Sequence, residues 1–345
     1  MKFLISAAGT GGHVFPAIEF SKECIAKNNE VIWVGTKAGI ENRVLPKKIR
    51  LLTIPMSGFR GKNLILKIAS LLGLISSTFK SIYYIFSNNI DYVVCFGGYI
   101  SLPVGLSAWI CRKPLFLHEQ NAVIGTSNRL LIKFSQLIFL GFPINEPIRE
   151  DMLLVGNPIQ KSKKSSSLEG NQRPLRIYVT GGSQGSEYIN QNIPIALNSL
   201  ELQMEVKHQS GKGKSSGIKE LYSSKISAEI RDFYDSPQDL ILWSDFVISR
   251  AGAISLSETI SLNRGSLMIP LPSAIDNHQL LNAINIAELE MGLIHEESEL
   301  IESLSEKLKN IIETKLYIQW SEAENNIDHF QAARRMLSSI LKSQK

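Results

Sequence analysis

Short apolar runs and amphipathic stretches alternate along this chain. KFLISAAG, EVIWVGT, IDYVVCFGG and PLFLHEQ are rich in β-branched, aromatic and aliphatic residues and end in glycine or polar positions, as buried strands do. Between them, Pro16–Lys27 and Ser101–Cys111 carry the apolar spacing of helices with one buried face. Strands alternating with helices predict βαβ units and a parallel sheet. The alternation stops at Gly156–Pro174, GNPIQKSKKSSSLEGNQRP, which has no apolar periodicity and reads as a linker. It resumes with LRIYVTGGSQGSEYIN, LILWSDFVISRAGAISLSETI and SLMIPLP. The second half thus repeats the architecture of the first, and an α/β protein of two doubly wound domains facing each other across a cleft is expected. The last segment, Asn325–Lys342, places Ile327, Phe330, Met336, Leu337, Ile340 and Leu341 on one side and is expected to be a closing helix.

Leu64–Phe86 is the most apolar stretch, but Lys67 and Lys80 interrupt it. A spanning helix needs about 20 predominantly apolar residues. Two readings stay open. One is a buried helix pair; the other is an interfacial element whose apolar face dips into a bilayer, flanked by Arg60, Lys62, Lys67 and Lys80.

Composition narrows the function further. The chain has 345 residues, enough for two domains of similar size. Its formal net charge is +5, but the lysines and arginines are scattered and no aromatic residues interleave with them. Nucleic acid is therefore not an expected partner, whereas an anionic membrane surface accounts for the charge. Cys24, Cys95 and Cys111 form no CxxC pair, so neither a zinc site nor a redox site is expected. The N-terminal MKFLISAAGTGGH is too short for a signal-peptide core, and a cytoplasmic protein is expected.

Three glycine turns follow strand-like runs: Gly9-Thr10-Gly11-Gly12-His13, Gly97-Gly98-Tyr99-Ile100-Ser101 and Gly181-Gly182-Ser183-Gln184-Gly185. A fourth, Ser249-Arg250-Ala251-Gly252-Ala253, is less rich in glycine. Any one of them could be a tight turn that needs small residues for packing. Four together suggest anion sites, because backbone N–H groups and the positive end of a helix dipole converge where a strand gives way to a helix. A dinucleotide is disfavoured: the third fingerprint glycine is missing, and the second strand ends in Gly35-Thr36 rather than in the acid that binds ribose. The lysine of a P-loop is absent, and no Asp-x-Asp occurs to hold a divalent metal.

GTGGHVFPA, SGFRGK, GGYIS, HEQNAVIGTSN, VGNPI, GGSQGS, HQSGKG, SRAGAISLSE and PLPSAIDNHQLLNA occur in this order over essentially the whole chain. In this the sequence resembles the MurG family of N-acetylglucosaminyltransferases. The resemblance implies a GT-B fold, with residues 1–157 binding acceptor and membrane, 158–322 binding UDP-GlcNAc, and 323–345 returning to the first domain. It implies inverting transfer of GlcNAc from UDP-GlcNAc to the 4-hydroxyl of the muramoyl sugar of lipid I, forming lipid II. Attachment to the inner face of the cytoplasmic membrane and contact with cell-wall and division proteins are implied as well. No cofactor and no metal are expected. Rival readings are another GT-B enzyme, such as a UDP-GlcNAc 2-epimerase, and a non-catalytic nucleotide-sugar-binding scaffold.

By the same resemblance, Ala253, Ile254, Ser255, Leu256, Ser257 and Glu258 are expected to meet the donor, with Glu258 on the ribose. Ser183, His278 and Gln279 are expected at its phosphate or sugar, Tyr234 where the family holds uracil, and Asn121 at GlcNAc. Thr10, Gly11 and Gly12 belong to the donor set too. After VGNP many members have an arginine two residues on; this chain has Gln160, with Lys161 or Arg250 as substitutes. Gly9, Gly11, Gly12, Gly97, Gly98 and Tyr99 are expected to cradle the lipid I diphosphate. His13 is the leading candidate for general base, since a helix N-terminus disfavours imidazolium and keeps the ring able to take a proton. His118 with Glu119 is the second.

Overall fold

A computed structural model describes residues 1–56, 64–162, 168 and 173–343, with the backbone alone for 64–71. The SGFRGK motif with Arg60 and Lys62, the Lys67 side chain and much of the expected linker lie outside the described residues.

The chain divides into two compact units, Met1–Gln160 with Ile327–Lys345, and Lys161–Asn326. The first holds seven strands: β1 (Lys2–Ser6), β2 (Glu30–Gly35), β3 (Arg50–Thr53), β4 (Tyr92–Cys95), β5 (Leu115–Glu119), β6 (Leu137–Leu140) and β7 (Met152–Leu154). Their order in the sheet is β3-β2-β1-β4-β5-β6-β7, and every pairing is parallel. The second unit holds β8 (Leu175–Thr180), β9 (Met204–Gln209), β10 (Ile226–Arg231), β11 (Phe246–Ser249), β12 (Ser266–Met268) and β13 (Gly292–Ile294). Their order, β10-β9-β8-β11-β12-β13, starts with the same reversal and is again wholly parallel.

The continuous apolar runs of the sequence exist because a parallel sheet is covered on both faces. Phe3 and Ile5 point to one core with Phe20, Trp33, Phe116 and Met336, and Leu4 points to the other with Ile32, Val93, Leu117 and Ile138. Each fully buried Phe or Leu there contributes about 1.5–3 kcal/mol relative to exposure. In the second unit Ile177, Val179, Phe246, Ile248 and Trp320 form the comparable core.

Two elements differ from expectation. The closing helix runs Ala332–Lys342, preceded by a single 3-10 turn at His329–Gln331; the polar Asn325-Asn326 stretch before it is not helical. It packs in the first unit against the Gly11–Ala26 helix through Met336, Leu337 and Ile340. Leu64–Ser87 is one continuous helix rather than a buried pair. Ser77, Ser81 and Ile85 are buried, whereas Leu72, Ile75, Phe79, Tyr83 and Phe86 form an exposed stripe at three- and four-residue spacing.

Candidate functional site

In an open parallel sheet, ligands bind beyond the carboxyl ends of the strands where the strand order reverses. That point lies between β1 and β4 in the first unit and between β8 and β11 in the second. The four glycine turns follow these four strands.

In the first unit, Thr10 stands at the N-cap of the Gly11–Ala26 helix in extended conformation, and the Gly9 turn leads into it. His13, one residue past Gly12, lies with Nδ1 3.1 Å from Thr10 Oγ1. Its ring rests on the second turn. A Cβ at Gly97, whose φ is +81°, would come within 3.0 Å of His13 Cδ2 and 3.3 Å of Nε2. Glycine at 97 is thus required twice, for a left-handed backbone and for room under the imidazole. Tyr99 approaches Gly9. The structure therefore brings Gly9, Thr10, Gly11, Gly12, His13, Gly97, Gly98 and Tyr99 into one place.

His118 and Glu119 are at the end of β5 and are buried. His118 Nε2 is 3.2 Å from the Gly156 carbonyl, and Nδ1 is 2.9 Å from Gln120 Nε2. The arrangement fits one tautomer, with Nε2–H donating to Gly156 and Nδ1 accepting from Gln120. Burial lowers its pKa to about 4. Glu119 accepts from the Asn121 and Gly125 backbone N–H groups and from the Asn121 and Asn128 side-chain amides at 2.9–3.2 Å. Both residues are committed to holding the loop that carries Asn121. Glu41 supplies the acid that the end of β2 lacks in sequence, but its buried carboxylate accepts from Thr36 N–H at 2.7 Å and Thr36 Oγ1 at 2.9 Å. It is an anchor for the loop and not a ribose ligand. Gln160 is exposed.

In the second unit, Gly182 has φ of +80°, its N–H donates to Thr180 Oγ1 at 3.0 Å, and Ser183 beside it is exposed. Gly252 caps the Ala253–Ser261 helix. A Cβ on Gly182 or Gly252 would meet nothing within 4 Å among the described residues, so both turns border open space. Glu258, one turn into the helix, accepts from Gln238 Nε2 at 3.1 Å and helps push the buried Tyr178 phenol, already raised by burial, to about 12. Tyr234 is largely buried edge-on against Tyr178, and its hydroxyl donates to the Glu229 carbonyl at 3.2 Å. Gln279 accepts from Leu271 N–H at 3.0 Å, leaving its NH₂ as the donor end. His278 bonds the Ile275 carbonyl at 2.7 Å, at the start of the His278–Glu288 helix. Arg250, one of the two expected substitutes for the missing arginine, is engaged within its own unit. Its guanidinium donates to Ser186 Oγ at 2.7 Å and to the Ile269 and Pro270 carbonyls, and pairs with Glu297.

The model of the glycosyltransferase family 28 N-terminal domain matches residues 3–140, and that of the family 28 C-terminal domain matches residues 176–336. A Coxiella burnetii protein called UDP-N-acetylglucosamine--N-acetylmuramyl-(pentapeptide) pyrophosphoryl-undecaprenol N-acetylglucosamine transferase is 36% identical over 310 residues, covering 88% of this chain and 87% of its own. A protein of the same name from Chromohalobacter salexigens is 31% identical, covering 100% of this chain and 97% of its own. The crystal structure of Acinetobacter baumannii MurG matches with a TM-score of 0.85 at 29% identity over 99% of each chain. The chain belongs to the MurG family. A kitacinnamycin glycosyltransferase, with a TM-score of 0.78 at 11% identity, shares the GT-B fold alone.

Within this MurG-family chain, several side chains that shape the site were not singled out by its motifs. Gln120 sits inside HEQN, and Gln209, inside HQSGKG, donates to Thr180 Oγ1 and the Gly182 carbonyl while accepting from Tyr234 N–H. Phe233 is an exposed ring beside buried Tyr234. No hydrophobic period marks such residues; only the fold shows which of two neighbours faces out.

The buried histidines set a pH dependence. Burial lowers His118 and His208 to about 4 and His329 to about 3, so the native state holds them neutral while the unfolded chain takes up protons near 6.5. Their contribution is fully present above pH 6.5 and is lost as pH falls toward 4, at about 1.4 kcal/mol per pH unit for each. Glu119, raised by burial, acts in the opposite sense but alone. Denaturant titrations from pH 7.5 to 5 should show falling stability, and a flat profile would contradict the neutral assignment.

Proposed function

We propose that this chain transfers GlcNAc from UDP-GlcNAc to the 4-hydroxyl of the muramoyl sugar of lipid I, making lipid II for peptidoglycan. The observation that carries this is identity to the Coxiella burnetii transferase over most of both chains. The four glycine turns at the two points of strand reversal agree with it, because the donor and the acceptor each carry a diphosphate. An epimerase or a scaffold would need no second diphosphate site.

In this reading the second unit takes the donor. Amides at the start of the Ala253–Ser261 helix and of the Gly182 turn face the UDP diphosphate, stabilising the charge that grows as UDP leaves. Ile254, Ser255, Ser183, His278 and Gln279 line phosphate and sugar, and Glu258 accepts from ribose hydroxyls; Ala253, Leu256 and Ser257, expected there too, are buried in the unit. Phe233, next to Tyr234, offers an exposed ring for the uracil face. Gln160 has no charge to offer a phosphate, so that contact is weaker than an arginine would make.

The first unit takes the acceptor. Gly9, Gly11, Gly12, Gly97 and Gly98, with Thr10 and Tyr99, cradle its diphosphate. His13 is the base. Held at Nδ1 by Thr10 Oγ1, its ring takes the hydroxyl proton. The hydroxyl oxygen then bonds to the anomeric carbon as the bond to UDP breaks, inverting that centre. Asn121, which the family resemblance assigns to GlcNAc, sits on a loop fixed by Glu119.

The Leu64–Ser87 helix supports membrane contact. Phe79 is 68% exposed in the middle of the stripe, and Trp109 and Ile110 are exposed on the neighbouring Ser101–Ile110 helix. An apolar face of this kind, with Lys80, Arg112 and Lys113 close by in sequence, suits shallow insertion beside anionic headgroups. No described helix is long and apolar enough to cross a membrane. Peripheral attachment to the inner face of the cytoplasmic membrane is the resulting assignment.

Release of UDP from UDP-GlcNAc should depend on a lipid I analogue. His13→Ala should keep donor binding and lower kcat by about 10²–10⁴-fold, the range for a general base. Acceptor-independent epimer formation would overturn the transfer, and near-normal turnover would remove His13 as base. Phe79→Glu should weaken partitioning onto anionic vesicles without altering UDP binding; unchanged partitioning would contradict the membrane assignment.

A further inference from the structure

The chain passes from one unit to the other after Gln160 and returns after Asn326. Both crossings are joined within the first unit. His329 Nδ1 accepts the backbone N–H of Asn157 at 2.8 Å, three residues before the outgoing crossing and three after the returning one. Gly156, with φ of +89°, lets the two segments touch: a Cβ there would lie 3.0 Å from His329 Nδ1 and 3.1 Å from Ile327 Cγ2. The Gly156 carbonyl accepts from His118, and Asn157 Nδ2 donates to the Gln120 carbonyl at 3.0 Å. Gln120 Nε2 in turn reaches His118 Nδ1 and the Phe96 carbonyl, next to Gly97. A continuous run of buried polar contacts therefore links the crossings to the turn on which the His13 ring rests.

His329 is an odd choice for packing alone. Its ring lies edge-on to Phe142, and Nε2 is buried with no partner among the described residues. An unsatisfied buried polar group is a cost that an apolar ring would avoid. What an apolar ring lacks is the acceptor for Asn157.

We infer that His329 is a positioning residue: by accepting the Asn157 N–H it pins the outgoing and returning segments together and, through His118 and Gln120, ties them to the turn beneath His13. The inference uses the proposed transfer activity only for its kinetic readout.

The test compares the wild-type chain with H329F, which keeps a ring and removes the acceptor, and H329N, whose Oδ1 can stand where Nδ1 does. Hydrogen exchange at the Asn157 amide should be about tenfold faster in H329F, the worth of one neutral hydrogen bond. In the same variant kcat should fall several-fold while the Kd for UDP stays at the wild-type value. H329N should restore both. If H329F does not fold, H329L, which likewise carries no acceptor, provides the same contrast. Unchanged Asn157 exchange or wild-type kcat in the acceptor-less variant would overturn the inference, as would H329N behaving no better than H329F. A wild-type chain that transfers nothing would refute the proposed function and leave the exchange result to decide the pinning.

Discussion

Everything at the candidate site depends on the glycine turns and helix starts that follow a parallel strand, where backbone dipoles converge on an anion. Amides there bind anions only if nothing covers them, so the residues around them must be small and able to take left-handed backbone. Gly97 illustrates the constraint, since a side chain there would both strain the backbone and strike the His13 ring. The open space over Gly182 and Gly252 is the same constraint in the second unit. Because each sheet reverses its strand order once beside its first strand, the fold provides two such places, and a reaction between two diphosphates needs two.

Around these turns the buried polar side chains are structural supports. Glu119 satisfies four donors of its own loop, Arg250 bonds two carbonyls and a helix cap, and Glu41 closes on Thr36. A buried charge without partners would be costly, and these partners are what make the charges tolerable. The result is rigidity: the groups proposed to meet substrate sit on turns whose shape the buried ones fix. His118 belongs with the supports, since both its ring nitrogens are engaged. His13 lies at a helix start over glycine, beside Thr10 Oγ1.

The fold was legible in the sequence because parallel strands buried on both faces leave unbroken apolar runs, and because glycine marks the turns after β1, β4, β8 and β11. Runs such as Phe3–Ile5 and Phe246–Ile248 need no pairing information to be recognised. The division of polar residues into supports and substrate groups was not legible. His118 and His13 look alike in sequence, and nothing in it shows that His118 is tied to a carbonyl 38 residues away. The Leu64–Ser87 helix was ambiguous for a related reason. An apolar face that meets lipid has the same composition as one that meets a core, and only the neighbours decide.

The central claim is that the two strand-reversal points divide the two diphosphates between them. Amide hydrogen exchange with UDP, and separately with a short-chain prenyl diphosphate, tests it most directly. UDP should protect residues 181–186 and 250–258, and the prenyl diphosphate should protect residues 9–13 and 97–101. Protection of 9–13 and 97–101 by UDP, with none at 250–258, would contradict the account.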